Sequence, residues 1–125
     1  MNDDRIVYRD LSFKIIGCAI EVHKALGPGF PESVYERALE IELKKQGLAY
    51  ERQKQFRVNY QGESVGDFRA DFVVDNKVIL ELKAVSEMPA VFERQLHSYL
   101  QVSKLRLGIL VNFGREKLES KRIVY

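Results

Sequence analysis

Cysteine is almost missing from this chain: Cys18 stands alone, which excludes an intramolecular disulfide and a cysteine-rich zinc site and fits a reducing compartment. Its expected role is core packing. Long apolar runs are missing too. No stretch approaches the roughly 18 to 20 residues needed to span a bilayer, and the polar opening from Met1 to Asp10 has no signal-peptide core. A soluble, cytoplasmic protein without membrane contact is expected. Net charge is small: 20 Lys and Arg face 18 Asp and Glu, a formal charge of +2, so no strong global field exists to capture a polyanion. Nucleic-acid binding would have to come from a local basic patch or from a bound metal ion. There is no internal repeat, low-complexity tract or linker, and the three prolines fall near expected helix starts.

What is present suffices for one core. With 125 residues, 46% of them apolar, residues 1–125 are expected to form a single domain. From Asp10 to Leu26, Leu11, Ile15, Cys18, Ala19, Val22, Ala25 and Leu26 recur at three- and four-residue steps, which predicts an amphipathic helix over 10–26 capped by Gly27. The segment Gly27 to Pro31 cannot continue it. A second helix is predicted over 31–46, opening within Pro31 to Ser33, where Ser33-Val34-Tyr35-Glu36 has the form of a capping box, and Gly47 ends it. The pattern then turns extended, predicting strands near 50–60, 67–74 and 78–84 with turns at Gln61-Gly62-Glu63 and Asp75-Asn76-Lys77. A third helix over 89–102 carries Phe92, Leu96, Tyr99 and Leu100 on one stripe, and strands near 105–113 and 121–125 follow. This order predicts an α/β (α+β) mixed sheet flanked by helices.

The turn at Asn76 has chemical content. Residues equidistant from it face one another across the hairpin, Asp71 opposite Glu81 and Arg69 opposite Lys83. Directly opposed carboxylates in an antiparallel pair lie about 4.5–5.5 Å apart at Cβ and repel each other. A divalent cation offsets that repulsion: Mg²⁺ takes carboxylate oxygens, keeps several waters and can hold a phosphate oxygen at the same time. Lys83, two residues beyond Glu81, projects to the same side of the strand, where it can orient a water or neutralise charge on a phosphorane-like transition state. The plain alternative is a ladder of surface ion pairs, Arg69 and Lys83 flanking the two acids, each worth roughly 0 to 1 kcal/mol. Against it, Val73 and Ile79 share the acids' face while Leu80 and Leu82 fill the other, and a charge among apolar neighbours is costly without a task.

Asp71, followed ten residues later by Glu81-Leu82-Lys83 on the next strand, resembles the D…(D/E)-x-K signature of the PD-(D/E)XK nuclease superfamily. Gly29-Phe30-Pro31-Glu32-Ser33-Val34-Tyr35 is similar to the pattern that names the GxxExxY protein family. The similarity continues through Arg69-Ala70-Asp71, Glu81 to Val85, Gln95 to Leu100 and Asn112-Phe113. This resemblance implies a restriction-endonuclease-like core and a nuclease dependent on Mg²⁺ or Mn²⁺ that acts on nucleic acid, DNA foremost. It implies that Asp71 and Glu81 hold the metal with the Leu82 carbonyl, that Lys83 assists the attacking water, and that Glu32 completes the site, with Glu36 one turn later as its rival. Gln95 and Tyr99, four apart on the third helix, resemble the Q-x-x-x-Y element that positions substrate or the lysine in exonuclease-type members. The alternative is an ordinary core tyrosine with Gln95 at its edge.

His23 matches the family pattern but also reads as a helix cap or surface residue, and His97 is expected to be exposed. Lys104, Arg106, Arg115, Lys117, Lys121 and Arg122 make the last third locally basic, either a patch for phosphates or a solvated surface. So small a chain offers little surface for gripping a duplex, so a homodimer or a larger partner would complement it. The rival to a nuclease is a non-catalytic nucleic-acid-binding or protein-adaptor module on the same fold.

Overall fold

A computed structural model describes residues 6–125. Its elements run α1 (Arg9–Leu26), α2 (Glu32–Lys45), β1 (Tyr50–Tyr60), β2 (Glu63–Val74), β3 (Val78–Lys83), α3 (Ala90–Ser103), β4 (Leu107–Asn112) and β5 (Glu119–Val124). The strands form one sheet in the order β1-β2-β3-β4-β5. Only β3 and β4 are parallel, with α3 as the crossover between them, and the other neighbours are antiparallel. This is the mixed sheet flanked by helices that the sequence pattern predicts. Among the described residues, no helix is long and apolar enough to cross a membrane.

Side-chain alternation sorts the core into two layers. Phe72, Val74, Leu80, Leu82, Leu107, Ile109 and Val111 meet Ile15, Cys18, Val22, Tyr35, Leu39 and Leu43 of α1 and α2. Val73, Ile79 and Leu110 point the other way, against Leu96 and Leu100 of α3. Strands β3 and β4 are therefore buried on both faces, up to a half-buried Lys83, and read as continuous apolar runs. Cys18 lies in the first layer, where burial and then the charge of Glu42 push its thiol up to about 11, an inert core cysteine. Helix α3 lies so close to β4 that a Cβ on Gly108 would stand 2.7 Å from Cγ of Leu96. Gly108→Ala is expected to lower stability by about 1–3 kcal/mol through overpacking, read as a lower urea midpoint at unchanged slope.

Two local expectations need correction. Strand β2 begins at Glu63, four residues before the predicted 67–74, because Gln61 and Gly62 alone make the turn, with φ of 50° and 83°. Its first half is exposed on both faces, so no apolar alternation marks it. The capping box is not formed: α2 opens at Glu32 behind Pro31, without a side-chain cap. Proline's fixed φ already sets the entry, and the Glu36 carboxylate is taken by Arg52 and Gln53 instead. Other element ends differ from expectation by one or two residues, the ordinary fraying margin.

Candidate active site

Strands β2 and β3 pair through Val74↔Val78, Val73↔Ile79 and Phe72↔Leu80, the register centred on Asn76. At the next step, Asp71 and Glu81, the ladder stops and side chains replace it. The Asp71 amide donates to Oε2 of Glu81 at 2.8 Å, and the Leu82 amide donates to Oδ2 of Asp71 at 2.8 Å. The sheet is interrupted on the other side of Asp71 as well. Across β1, Gln53 drops out of the pairing and adopts φ 50°, a left-handed conformation that costs a non-glycine residue on the order of 1–3 kcal/mol. Its Nε2 donates to Oδ1 of Asp71 at 3.2 Å and to Oε1 of Glu36 at 3.0 Å. Asp71 thus sits in a gap spanning three strands, where carboxylate oxygens stand in for backbone acceptors.

The ion-pair ladder does not occur. Arg69 is exposed and pairs with Gln55 of β1, while Lys83 pairs with Asn112 of β4, because β2 and β3 part before the two can face each other. Among the described residues, neither Asp71 nor Glu81 forms an ion pair with a lysine or arginine. Glu81 is only 6% exposed. Burial first, and the Asp71 charge second, push its carboxyl up to about 8. Burial also raises Asp71, opposed by the Leu82 amide and added to by Glu36. Both acids feel the Lys83 charge, and the Lys83 ammonium rests over the Phe92 ring at 4.3 Å, a cation–π contact.

The model of the PD-(D/E)XK nuclease superfamily matches residues 9–123. The chain belongs to that superfamily. No curated protein matches it. Among solved structures it is similar to the crystal structure of SSO0001, with a TM-score of 0.59 and 22% identity over 74% of this chain. The chain spans 48% of that protein, and the likeness is one of fold.

Within this PD-(D/E)XK domain, the GxxExxY-like segment is a loop-setting device. Gly29 takes φ 112°, a conformation suited to glycine. Tyr35 is buried; its hydroxyl donates to the Gly27 carbonyl at 2.6 Å and accepts from the Phe30 amide at 3.2 Å, and its ring stacks on Phe113 at 4.5 Å. Between them Glu32 emerges at the first turn of α2. It is exposed, yet its carboxyl is raised, by desolvation first and then by Asp71 and Glu36, with Lys83 opposing. Tyr35→Phe is expected to cost about 1–3 kcal/mol by leaving the Gly27 carbonyl unsatisfied, measured as a lower melting temperature. Glu32 and Glu36 are neighbours one turn apart on α2, Glu36 linked to Asp71 through Gln53. Among the described residues, no three of His, Cys, Asp or Glu converge as a ready-made cation cage.

Tyr99 lies in the field of both acids, its phenol raised by burial, then by Glu81 and Asp71. It stacks on Phe68 at 3.9 Å, and Phe68 stacks on Phe56 at 5.1 Å. Gln95 is exposed one turn earlier on α3. His23 is neither cap nor surface residue: it is buried, and its Nε2 meets the Arg115 carbonyl at 2.8 Å, tying α1 to the β4–β5 loop. His97 is exposed, as expected, with its ring edge-on to Tyr125. The basic last third is partly committed within the chain, Lys121 to Glu93 at 2.7 Å, Arg115 to Glu119 at 3.5 Å and Arg122 to the Val7 carbonyl.

Sequence reasoning missed four participants. Gln53 and the Arg52 clamp on Glu36 carry no sequence signal, since both lie on a polar strand. Phe92 was legible only as core. Asn112 is fully buried; its Oδ1 accepts the Val85 and Gly114 amides at 3.0 Å, and its Nδ2 donates to the Val85 carbonyl at 3.0 Å. Together with the Phe113 amide, which donates to the Lys83 carbonyl at 2.8 Å, it pins the chain just beyond Lys83. An asparagine closing an otherwise apolar strand was the available signal.

Proposed function

We propose that this protein is a cytoplasmic phosphodiesterase that hydrolyses nucleic acid, DNA foremost, with Mg²⁺ or Mn²⁺. The observation that carries this reading is the Asp71–Glu81 gap: a buried and a half-buried carboxylate, both raised by burial, held by backbone amides and, among the described residues, without a paired cation. Such a pair is costly as it stands. Its donors are oxygens only, which suits a hard cation that keeps several waters. Asp71 and Glu81 would hold that ion, with the Leu82 carbonyl as a further donor and Glu32 at the rim. When bound, the ion supplies positive charge that neutralises the acids and polarises the scissile phosphate.

The chain's own residues do the rest. The backbone amides of Asp71 and Leu82 and the side-chain Nε2 of Gln53 fix the carboxylate orientations, as outer partners of a metal site do. Lys83, steadied over Phe92 and by the clamp behind it, orients the attacking water and meets negative charge gathering on the phosphate oxygens as the new P–O bond forms and the bond to the leaving sugar oxygen breaks. Tyr99, with Gln95 beside it on α3, positions the substrate strand. The GxxExxY likeness is compatible with this assignment, since its glutamate reaches the same field.

The test is cleavage of labelled single- and double-stranded DNA, with RNA in parallel, by the purified protein. Cutting with Mg²⁺ or Mn²⁺, abolished by chelator and by Glu81→Ala, is the expected result. Binding without metal-dependent cutting across that panel would favour the adaptor reading.

A further inference from the structure

On the outer face of α1, among charged residues, two large apolar side chains are left uncovered by the described residues. Phe13 is 80% exposed and Ile20 is exposed as well, while Ile15, Cys18, Ala19 and Val22 on the opposite side meet the sheet. Asp10, Phe13, Gly17, Ile20 and Lys24 recur at alternating three- and four-residue steps, the seam of a helix pair. Exposed apolar residues gathered in this way mark an interaction surface.

Gly17 gives a second, independent indication. Glycine inside a helix loses stability relative to alanine, and an added Cβ on Gly17 would meet nothing within 4 Å. Among the described residues, nothing packs closely enough to require this glycine. Without a side chain, Gly17 leaves the helix backbone open to close approach from outside. Beside it, between α1 and α2, runs an open cavity of about 240 Å³, with Phe13, Gly17 and Cys18 in its wall and the polar Lys14, Glu21, Glu42 and Gln46 around them.

We propose that α1 is the interface of a homodimer, in which a second copy packs antiparallel about a two-fold axis through Gly17 and each Phe13 ring enters the cavity beside the other copy's Gly17. Charge selects this occupant and this orientation. About that axis Asp10 of each copy meets Lys24 of the other, and Lys14 comes beside Glu21. A parallel arrangement would set Asp10 on Asp10 and Lys24 on Lys24. The in-chain pairs Arg9–Asp10 at 3.7 Å and Lys24–Glu21 at 3.3 Å are exposed and weak, so they yield readily. The contact is isologous and closes after two copies. None of Asp71, Glu81 and Lys83 lies on α1.

Sedimentation equilibrium of the full chain between about 1 and 100 μM tests this. The wild type is expected to dimerise within that range. Phe13→Asp and Gly17→Leu are expected to raise the dissociation constant at least about tenfold with unchanged circular dichroism. Asp10→Lys and Lys24→Asp should each weaken the dimer, and the double charge swap should restore it. A wild type that stays monomeric throughout, a dimer indifferent to Phe13→Asp, or a double swap no tighter than its singles would overturn the proposal. A monomer that instead floats with lipid vesicles through Phe13 would assign the face to a membrane surface and overturn it equally.

Discussion

Lys83→Ala is expected to lower metal-dependent DNA cleavage by roughly 10²–10³-fold, the usual loss when one preorganised group aimed at developing charge is removed. The reason lies in the ammonium's surroundings. Lys83 has no carboxylate within ion-pair distance among the described residues, and its charge is steadied by the Phe92 ring at 4.3 Å. It is thus available to the substrate rather than spent on a structural pair. Its structural worth is small, a cation–π contact of about 0.5–1 kcal/mol, so the variant should fold and melt within a few degrees of wild type and still bind DNA. Single-turnover cleavage under saturating protein separates the chemical step from binding. A Lys83→Ala variant that cuts at the wild-type rate would remove Lys83 from the chemistry.

The second large effect concerns stability without metal. Burial and the Asp71 charge raise the folded-state pKa of Glu81 from 4.5 to about 8. A carboxyl raised in this way favours the folded state while protonated in both states. As pH climbs from about 4.5 to about 8, the unfolded chain releases the proton and the folded chain retains it, so stability falls across that window and levels off above it. The total is on the order of 2–5 kcal/mol. Glu81→Gln should therefore be more stable than wild type in chelator, by a margin that is small near pH 5 and grows toward pH 9. The glutamine oxygen can still accept the Asp71 amide, so the gap stays bridged. Urea titrations at the two pH values measure the margin; one that stays flat, or shrinks with pH, would mean that Glu81 is not held protonated by its surroundings.

The apolar alternation around Asn76 made the acidic hairpin legible, because β3 and its neighbours are buried on both faces and every inward position must be hydrophobic. Phe72, Val73, Ile79 and Leu80 fix the register, and Asp71 and Glu81 stand out against them. The manner of their meeting was not legible. Hairpin geometry predicts two side chains facing across an intact ladder, whereas here each carboxylate accepts a backbone amide and the ladder opens. The matching gap on the β1 side is made by Gln53, whose left-handed backbone is favoured by no propensity of its own. The same holds for Glu36. Its spacing from Ser33 suggests a capping box, but a proline in the entry position and an arginine on the adjacent strand redirect it. His23 illustrates the converse: a polar residue at a helix end is placed by an acceptor 92 positions away, which no local pattern encodes. Where packing decides, the sequence pattern is readable; where a single long-range hydrogen bond decides, it is not.

The central claim is that the gap holding Asp71 and Glu81 is a cation site. Titration of Mn²⁺ into the chelator-stripped protein, followed by calorimetry or by electron paramagnetic resonance of the free ion, tests it without reference to any substrate. Wild type is expected to bind Mn²⁺ at one site per chain that involves both acids, with Asp71→Asn and Glu81→Gln each weakening the affinity at least about tenfold, equivalent to about 1.4 kcal/mol. Equal Mn²⁺ affinity in wild type and in both variants would contradict it.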